Sequence, residues 1–82
     1  MNVLNYRSRR QEPVEIQEKR FGYFPKTFRW RGKRYNVEAV ERCWNATRNV
    51  PHLCFRVRCQ GGTFELYQNV RDNTWQLAQV RA

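Results

Sequence analysis

Several residue types on which enzymes depend are almost absent from this chain of 82 residues, which contains one serine, one histidine and one aspartate. These residues are Ser8, His52 and Asp72. A catalytic triad built from them would have to combine a terminal arm with two loops, so we do not expect a hydrolase of that kind. The glycine motifs that bind phosphate in P-loop and dinucleotide-binding proteins are also missing. We therefore expect no enzyme activity and no cofactor.

Long apolar runs are missing as well. No run approaches the roughly 20 residues that a membrane-spanning helix needs, and the first ten residues, MNVLNYRSRR, lack the hydrophobic segment of a signal peptide. We expect a cytoplasmic protein with no membrane partner. A chain this short buries only about 60% of its unfolded surface, which predicts a single domain with a small core. Aromatic residues make up 15% of the sequence, which argues against disorder.

Cysteine occurs three times, as Cys43, Cys54 and Cys59. An odd number without a signal peptide indicates a reducing compartment. No C-x-x-C spacing is present, and Cys54 and Cys59 would point to opposite faces of a regular strand, so we expect no metal site. The pair His52 and Cys54 is the one Cys-His neighbourhood, and we interpret it as a thiol beside a loop histidine rather than a catalytic dyad.

Acidic residues are few. The sequence contains seven Asp and Glu but sixteen Lys and Arg, and the formal net charge is +9. Thirteen of the sixteen are arginine, whose planar guanidinium binds phosphate through two donors and stacks on rings. This excess makes nucleic acid, either DNA or RNA, the leading partner class. The alternative is a charged surface that serves solubility alone, because composition cannot locate a binding face.

The chain divides into a polar, basic arm over residues 1–13 and a single small β domain over residues 14–82. The arm is predicted to be flexible. Within the domain, apolar and polar residues alternate from Val14 to Glu18, which is typical of a strand.

The clearest hairpin runs from Phe28 to Val37 around a turn at Arg31-Gly32. This register puts Phe28 opposite Tyr35 and Trp30 opposite Lys33, with the aromatic rings on the core face. It also puts Arg29 directly opposite Arg34 on the other face. Like charges facing each other across a ladder are unfavourable unless an anion lies over them.

Two more hairpins are predicted further along the chain. A Gly61-Gly62 turn would pair Arg58 with Glu65, and an Asp72-Asn73 turn would join the last two strands. Their inward positions, which we expect in the core with Trp30, are Phe55, Val57, Cys59, Phe64 and Leu66.

Residues 37–44 are ambiguous. Val37, Val40 and Trp44 have helical spacing, which allows a helical turn, but the segment continues a strong hairpin without an N-cap residue. We favour a long strand with a bulge near Glu38-Ala39.

These elements predict an all-β fold of about six antiparallel strands in a meander. The strands would form a twisted sheet or close into a small SH3-like or OB-like barrel, which hides the edge strands. Strand alternation then gathers the candidate nucleic-acid-binding residues on one basic face and one hairpin tip, with a tyrosine placed to stack on a base. These residues are Arg29, Arg31, Lys33, Arg34, Arg56, Arg58 and Tyr67.

Several segments of the chain together resemble an uncharacterised family of small bacterial proteins. Its pattern is F-x-W-R-G-x-x-Y-x-V, a later Trp, F-R-V-R, F-E-L-Y and a final Trp, which matches Phe28–Val37, Trp44, 55–58, 64–67 and Trp75. Some members resemble the small domain found with Y-family, translesion-type DNA polymerases or encoded near DNA-repair genes. The resemblance covers most of residues 14–80 and implies a bacterial cytoplasmic protein, with a DNA polymerase or repair protein as a partner. It names no activity, and it includes neither the three cysteines nor the arm.

Two functions follow from these observations. The first is a non-enzymatic nucleic-acid-binding accessory module, and the second is a protein-interaction module, monomeric or homodimeric, that uses an exposed aromatic strip or an open sheet edge.

Overall fold

Seven antiparallel strands build the domain. The structure is a computed structural model that describes residues 10–47 and 49–80. The strands are β1 (Gln11–Pro13), β2 (Glu15–Arg20), β3 (Phe24–Trp30), β4 (Lys33–Thr47), β5 (Pro51–Cys59), β6 (Gly62–Asn69) and β7 (Thr74–Val80). The predicted all-β meander is confirmed, with seven strands rather than about six. Because no helix occurs among these residues, the described chain holds no apolar helix long enough to cross a membrane.

The sheet curls into a half-barrel with the strand order β1-β7-β6-β5-β4-β3-β2. Its two edge strands, β1 and β2, are consecutive in the chain and are separated only by Val14. The Val14 amide donates to the Trp75 carbonyl at 3.3 Å. One short segment of chain therefore pairs with β7 at its start and with β3 at its end, and so connects the two edges of the sheet.

The last three residues of the predicted N-terminal arm belong to the sheet. Residues 1–9 lie outside the described part of the chain, but Gln11–Pro13 form β1 and pair with β7, with Gln11 opposite Ala78. Three residues give little periodicity, and their partner strand lies at the far end of the sequence. For this reason local alternation could not reveal β1.

The core lies inside the curl of the sheet. Phe28, Phe55 and Leu66 have no exposed surface, and Trp30 is 5% exposed. Tyr35 is half-buried and stacks on Phe28, with ring centroids 5.1 Å apart. Other buried members of this cluster are Val57, Cys59, Phe64, Trp75 and Leu77. The predicted core is confirmed, and the opposite side of the sheet is called the outer face below.

Strand β4 is continuous over its fifteen residues, so the helical-turn alternative for residues 37–44 is wrong. Its pairing with β5 slips between Val37 and Ala39, which confirms the predicted bulge, and slips again between Val40 and Arg42. Each slip adds one residue, so Val37 and Val40 both pack against the core although they are three positions apart. The spacing that resembled a helix is thus produced by a bulge.

Candidate nucleic-acid interface

The first hairpin has the predicted register, with Arg29 opposite Arg34 and Phe28 opposite Tyr35. Both arginines are exposed on the outer face. Strand β2 adds two carboxylates beside them: Glu15 lies opposite Arg29, and the Glu18 Oε1 lies 3.5 Å from the Arg34 Nη2. The predicted pairing of the two arginines is confirmed, but the negative charge beside them comes from carboxylates of the same chain. The alternation of Glu15 with Val14 and Ile16 indicates that Glu15 points away from the core. It does not indicate that β2 pairs with β3, which only the fold reveals.

The second hairpin is shifted by two residues from its predicted register. Cys59 pairs with Gly62, so Gln60-Gly61 is the turn, and Glu65 lies opposite Arg56 rather than Arg58. A shift of two keeps every side chain on its predicted face, so alternation cannot detect it. The shift nonetheless changes the residue opposite Glu65 from Arg58 to Arg56.

Arg58 is balanced by the bulged part of β4. Its Nη1 donates to the Glu41 Oε2 at 3.2 Å, and its Nε lies 4.0 Å from the Glu38 Oε1. These two glutamates are the residues at which the pairing of β4 with β5 slips. The bulges thus bring both carboxylates to Arg58.

The tip of the first hairpin is also occupied by intramolecular contacts. The Arg31 guanidinium stacks over the Trp30 ring at 4.5 Å and donates twice to Glu12. The Lys33 ammonium lies 5.6 Å from the centre of the Tyr35 ring.

Tyr67 lies next to Arg56 on the outer face, as predicted, but both contact the buried Glu65. Glu65 is 7% exposed and accepts a hydrogen bond from the Tyr67 hydroxyl at 2.5 Å. The Arg56 Nε lies 3.7 Å from the other Glu65 oxygen. This nitrogen is itself buried and has no hydrogen-bond partner in the described structure. The three residues form an ionic cluster built into the sheet, and the Tyr67 hydroxyl points into it.

The seven predicted residues therefore lie together on the outer face and its hairpin tip, but so do all six glutamates. Each glutamate lies opposite, or within 4.0 Å of, one of the predicted arginines. Opposite charges at these distances cancel most of the field that a phosphate backbone would feel. The predicted basic face is close to charge-balanced.

A second basic surface lies where β3 and β4 separate. The two strands pair only between Thr27–Trp30 and Lys33–Asn36, and beyond this ladder they diverge and leave a cleft of about 410 Å³. Three cations line it: Arg20, Lys26 and Arg42. We call this surface the β3–β4 cleft. Its apolar lining comes from Phe24, Pro25, Val37 and Val40.

None of these three cations forms an ion pair with a carboxylate within residues 10–47 and 49–80. Glu38 and Glu41 also reach the cleft, but both are paired with Arg58. Three of the cations that the glutamates leave uncompensated therefore lie together at this cleft. The sequence did not reveal this site because its members come from three strands and meet only after β3 and β4 diverge.

Aromatic rings stand beside the cleft. The Arg42 guanidinium lies 4.6 Å from the centre of the half-buried Trp44 ring. The β2–β3 turn also presents Phe21, which is 87% exposed, and Tyr23, which is 43% exposed. The Tyr23 hydroxyl lies 3.9 Å from the sulfur of Cys43, which lines the cleft. Cations interleaved with rings are the arrangement with which proteins hold single-stranded nucleic acid.

The cysteines are dispersed. Cys59 is buried in the core, Cys54 is buried outside the core cluster, and Cys43 is exposed. Burial raises the pKa of the Cys54 and Cys59 thiols to about 11. Across the described residues, no three side chains of the metal-ligating types come together.

Comparisons with protein-family models, with curated proteins and with solved structures found no match to this chain.

Proposed function

We propose that this protein is a non-enzymatic module that binds single-stranded nucleic acid along the β3–β4 cleft. The observation that carries this proposal is the set of three cations, Arg20, Lys26 and Arg42, that line one cleft without carboxylate partners in the described structure. Three phosphates of one strand could be neutralised there, because guanidinium and ammonium groups bind phosphate oxygens without reading sequence.

Trp44 supports the choice of a single strand. Its ring is already stacked with Arg42 at the cleft, and an unpaired base can stack on such a platform, whereas the bases of a duplex are stacked on one another. Arg29, Arg34 and Arg58 lie on the outer face beside carboxylates, so in this proposal they make peripheral contacts only.

The resemblance to the bacterial family suggests the setting. A small nucleic-acid-binding domain beside a Y-family polymerase or a repair protein would hold the template strand near the enzyme. Three unbridged thiols fit the reducing cytoplasm.

The deciding experiment is a titration of fluorescent 12-nucleotide single strands and 12-base-pair duplexes at about 50 and 200 mM salt. We expect the single strand to bind more tightly, with affinity falling steeply as salt rises. The triple variant Arg20→Gln/Lys26→Gln/Arg42→Gln should bind more weakly and flatten the salt slope by about two units, since each phosphate contact on a single strand contributes about 0.7.

The matched control removes the same charge from the outer face, in the variant Arg29→Gln/Arg34→Gln/Arg58→Gln. We expect a smaller loss of affinity and a smaller change of slope. A larger effect of the control variant than of the cleft variant would indicate that the interface lies on the outer face. Absence of binding by the wild-type protein at about 50 mM salt would refute the nucleic-acid function.

A second candidate function is favoured by one feature of β4. From Val37 to Thr47 this strand is paired only with β5. An open edge can accept an added strand from a peptide or from a second copy of the chain. Sedimentation of the protein alone tests the second copy: a dimer that a Val40→Pro substitution dissociates, with oligonucleotide binding absent, would favour this function.

A further inference from the structure

The β2–β3 turn holds an aromatic residue in a backbone conformation that suits glycine or asparagine. The Tyr23 amide donates to the Arg20 carbonyl at 3.1 Å, and the two residues between them have φ of 59° at Phe21 and 66° at Gly22. Positive φ at both central residues defines a type I′ turn, for which Asn-Gly is the favoured sequence. A bulky side chain in the left-handed region is strained.

The other described residues that have positive φ and are not glycine, Arg31 and Asn73, have local explanations. Asn73 is of a type that tolerates the left-handed region. Arg31, in the equivalent turn between β3 and β4, is held by Glu12 and stacks on Trp30. Phe21 has φ of 59°, is 87% exposed and makes no ring contact within the described residues. Its ring contributes nothing to the core that would offset the strain.

The β2–β3 turn lies next to the β3–β4 cleft. Arg20, which lines the cleft, precedes Phe21 directly, and Tyr23 follows two positions later against Cys43. An exposed ring beside phosphate-binding cations has the chemistry to stack on an unpaired base. We propose that Phe21 is a second base-stacking residue of the interface, in addition to Trp44, that it is held outward by the strained turn, and that its ligand is a base of single-stranded nucleic acid. This inference rests on the proposed function and adds a second contact that discriminates against duplex.

The positive charge of the cleft and the small number of exposed large apolar side chains favour a base over a membrane or a hydrophobic protein. The large exposed apolar side chains among the described residues are Phe21, Tyr23 and Val70. Val70 lies between β6 and β7, in a different turn. Protein and membrane sites expose a contiguous apolar patch, whereas a base needs one ring with cations nearby.

The test is the substitution Phe21→Asn, which creates the favoured Asn-Gly turn and changes no charge. We expect a higher Tm, because the strain is relieved, together with about tenfold weaker binding of a 12-nucleotide single strand. The salt slope should stay unchanged, since no phosphate contact is lost. This pattern separates a stacking residue from the cleft cations, whose removal flattens the slope.

Two controls accompany it. Phe21→Tyr keeps an aromatic ring and should retain wild-type affinity, while Val70→Ser removes another exposed apolar side chain and should change nothing. A strand carrying 2-aminopurine reports stacking directly: wild type and Phe21→Tyr should quench its fluorescence equally, and Phe21→Asn should quench it less.

Three outcomes would overturn the inference. If Phe21→Asn binds single strands like wild type, Phe21 does not stack on a base, although the proposed function stands as long as wild type binds. If Phe21→Asn lowers the Tm, the ring has a structural role in the turn. If wild type binds phosphatidylserine vesicles and Phe21→Asn does not, the ligand is a lipid surface. Separately, absence of any oligonucleotide binding by wild type would refute both this inference and the proposed function.

Discussion

Arg31, at the tip of the β3–β4 hairpin, binds Glu12 of β1 through two hydrogen bonds, with Nε 3.0 Å from Oε1 and Nη2 2.6 Å from Oε2. The Trp30 Nε1 donates to the same carboxylate at 3.2 Å. Because β1 continues into β2 through Val14, these contacts join the hairpin to the segment that connects the two edges of the sheet. Trp30 therefore belongs to the core and also reaches this carboxylate.

The Glu12 contact predicts acid sensitivity. The hydrogen bond from Arg31 holds the pKa of Glu12 below its usual value of 4.5. A lowered folded-state pKa contributes stability above the unfolded pKa, and this stability is lost as the pH falls through the folded pKa. We expect Glu12→Gln to lower the Tm at pH 7 and to reduce the fall in Tm between pH 5 and pH 3, measured by thermal denaturation. Parallel Tm-versus-pH curves for the two proteins would contradict this.

Trp30 should be essential to the core. Replacement by alanine removes a 5% exposed side chain that packs against Phe64 and Tyr35, and should cost about 3–5 kcal/mol of unfolding free energy. Urea denaturation measures this loss, and in a domain this small it can leave the chain unfolded. Trp30→Phe keeps a ring but loses the hydrogen bond to Glu12, so its loss should be smaller. A Trp30→Ala protein with the wild-type midpoint would mean that Trp30 is outside the core.

Glu65 should stabilise the outer face through its contacts with Arg56 and Tyr67. Substitution by alanine removes the partner of the Tyr67 hydroxyl and the carboxylate next to the buried Arg56 Nε. We expect a loss of about 1–3 kcal/mol in urea denaturation, because buried polar groups lose their partners. Tyr67→Phe, which removes only the hydroxyl, should lose less. Equal stability of Glu65→Ala and wild type would show that the cluster contributes nothing.

The three thiols should react differently with a thiol reagent. Cys43 is exposed, whereas Cys54 and Cys59 are buried and have pKa values raised to about 11 by that burial. Since the thiolate is the reactive form, one equivalent should react rapidly at pH 8 in the native protein and three equivalents in denaturant. The variant Cys43→Ala should lose the rapid phase. Rapid reaction of two thiols in the native protein would contradict the burial of Cys54 or Cys59.

The strands and their faces could be predicted because alternation is a local property of the sequence. The Arg31-Gly32 turn was predicted with its register, since a two-residue turn between large aromatic residues leaves one good pairing. The register of the β5–β6 hairpin was not predicted, because two adjacent glycines allow turns at different positions and therefore different strand registers. The bulge near Glu38 was predicted, but the second bulge, at Glu41, was not.

The candidate site was harder to predict because charge balance is not local. Glu18 and Arg34 are separated by sixteen residues and meet only through the pairing of β2 with β3 and of β3 with β4. The position of the cleft depends on where the pairing of β3 with β4 ends. No residue pattern within a single strand predicts that position. The outer direction of the arginines was therefore predicted. Of the carboxylates beside them only Glu65 was predicted, and it lies opposite Arg56 rather than Arg58.

The order in which the strands are synthesised bears on how the domain can fold. The pairing of β1 with β7 brings Gln11 next to Ala78, almost the full span of the described chain. During translation, β2 to β6 can form hairpin by hairpin as they emerge, but β1 has no partner until Thr74–Val80 has been made. Closing so long a loop is entropically costly and slow. Until that step, the nascent chain presents an unpaired β6 edge and a half-covered core, which makes this interval the period of greatest exposure to aggregation and proteolysis.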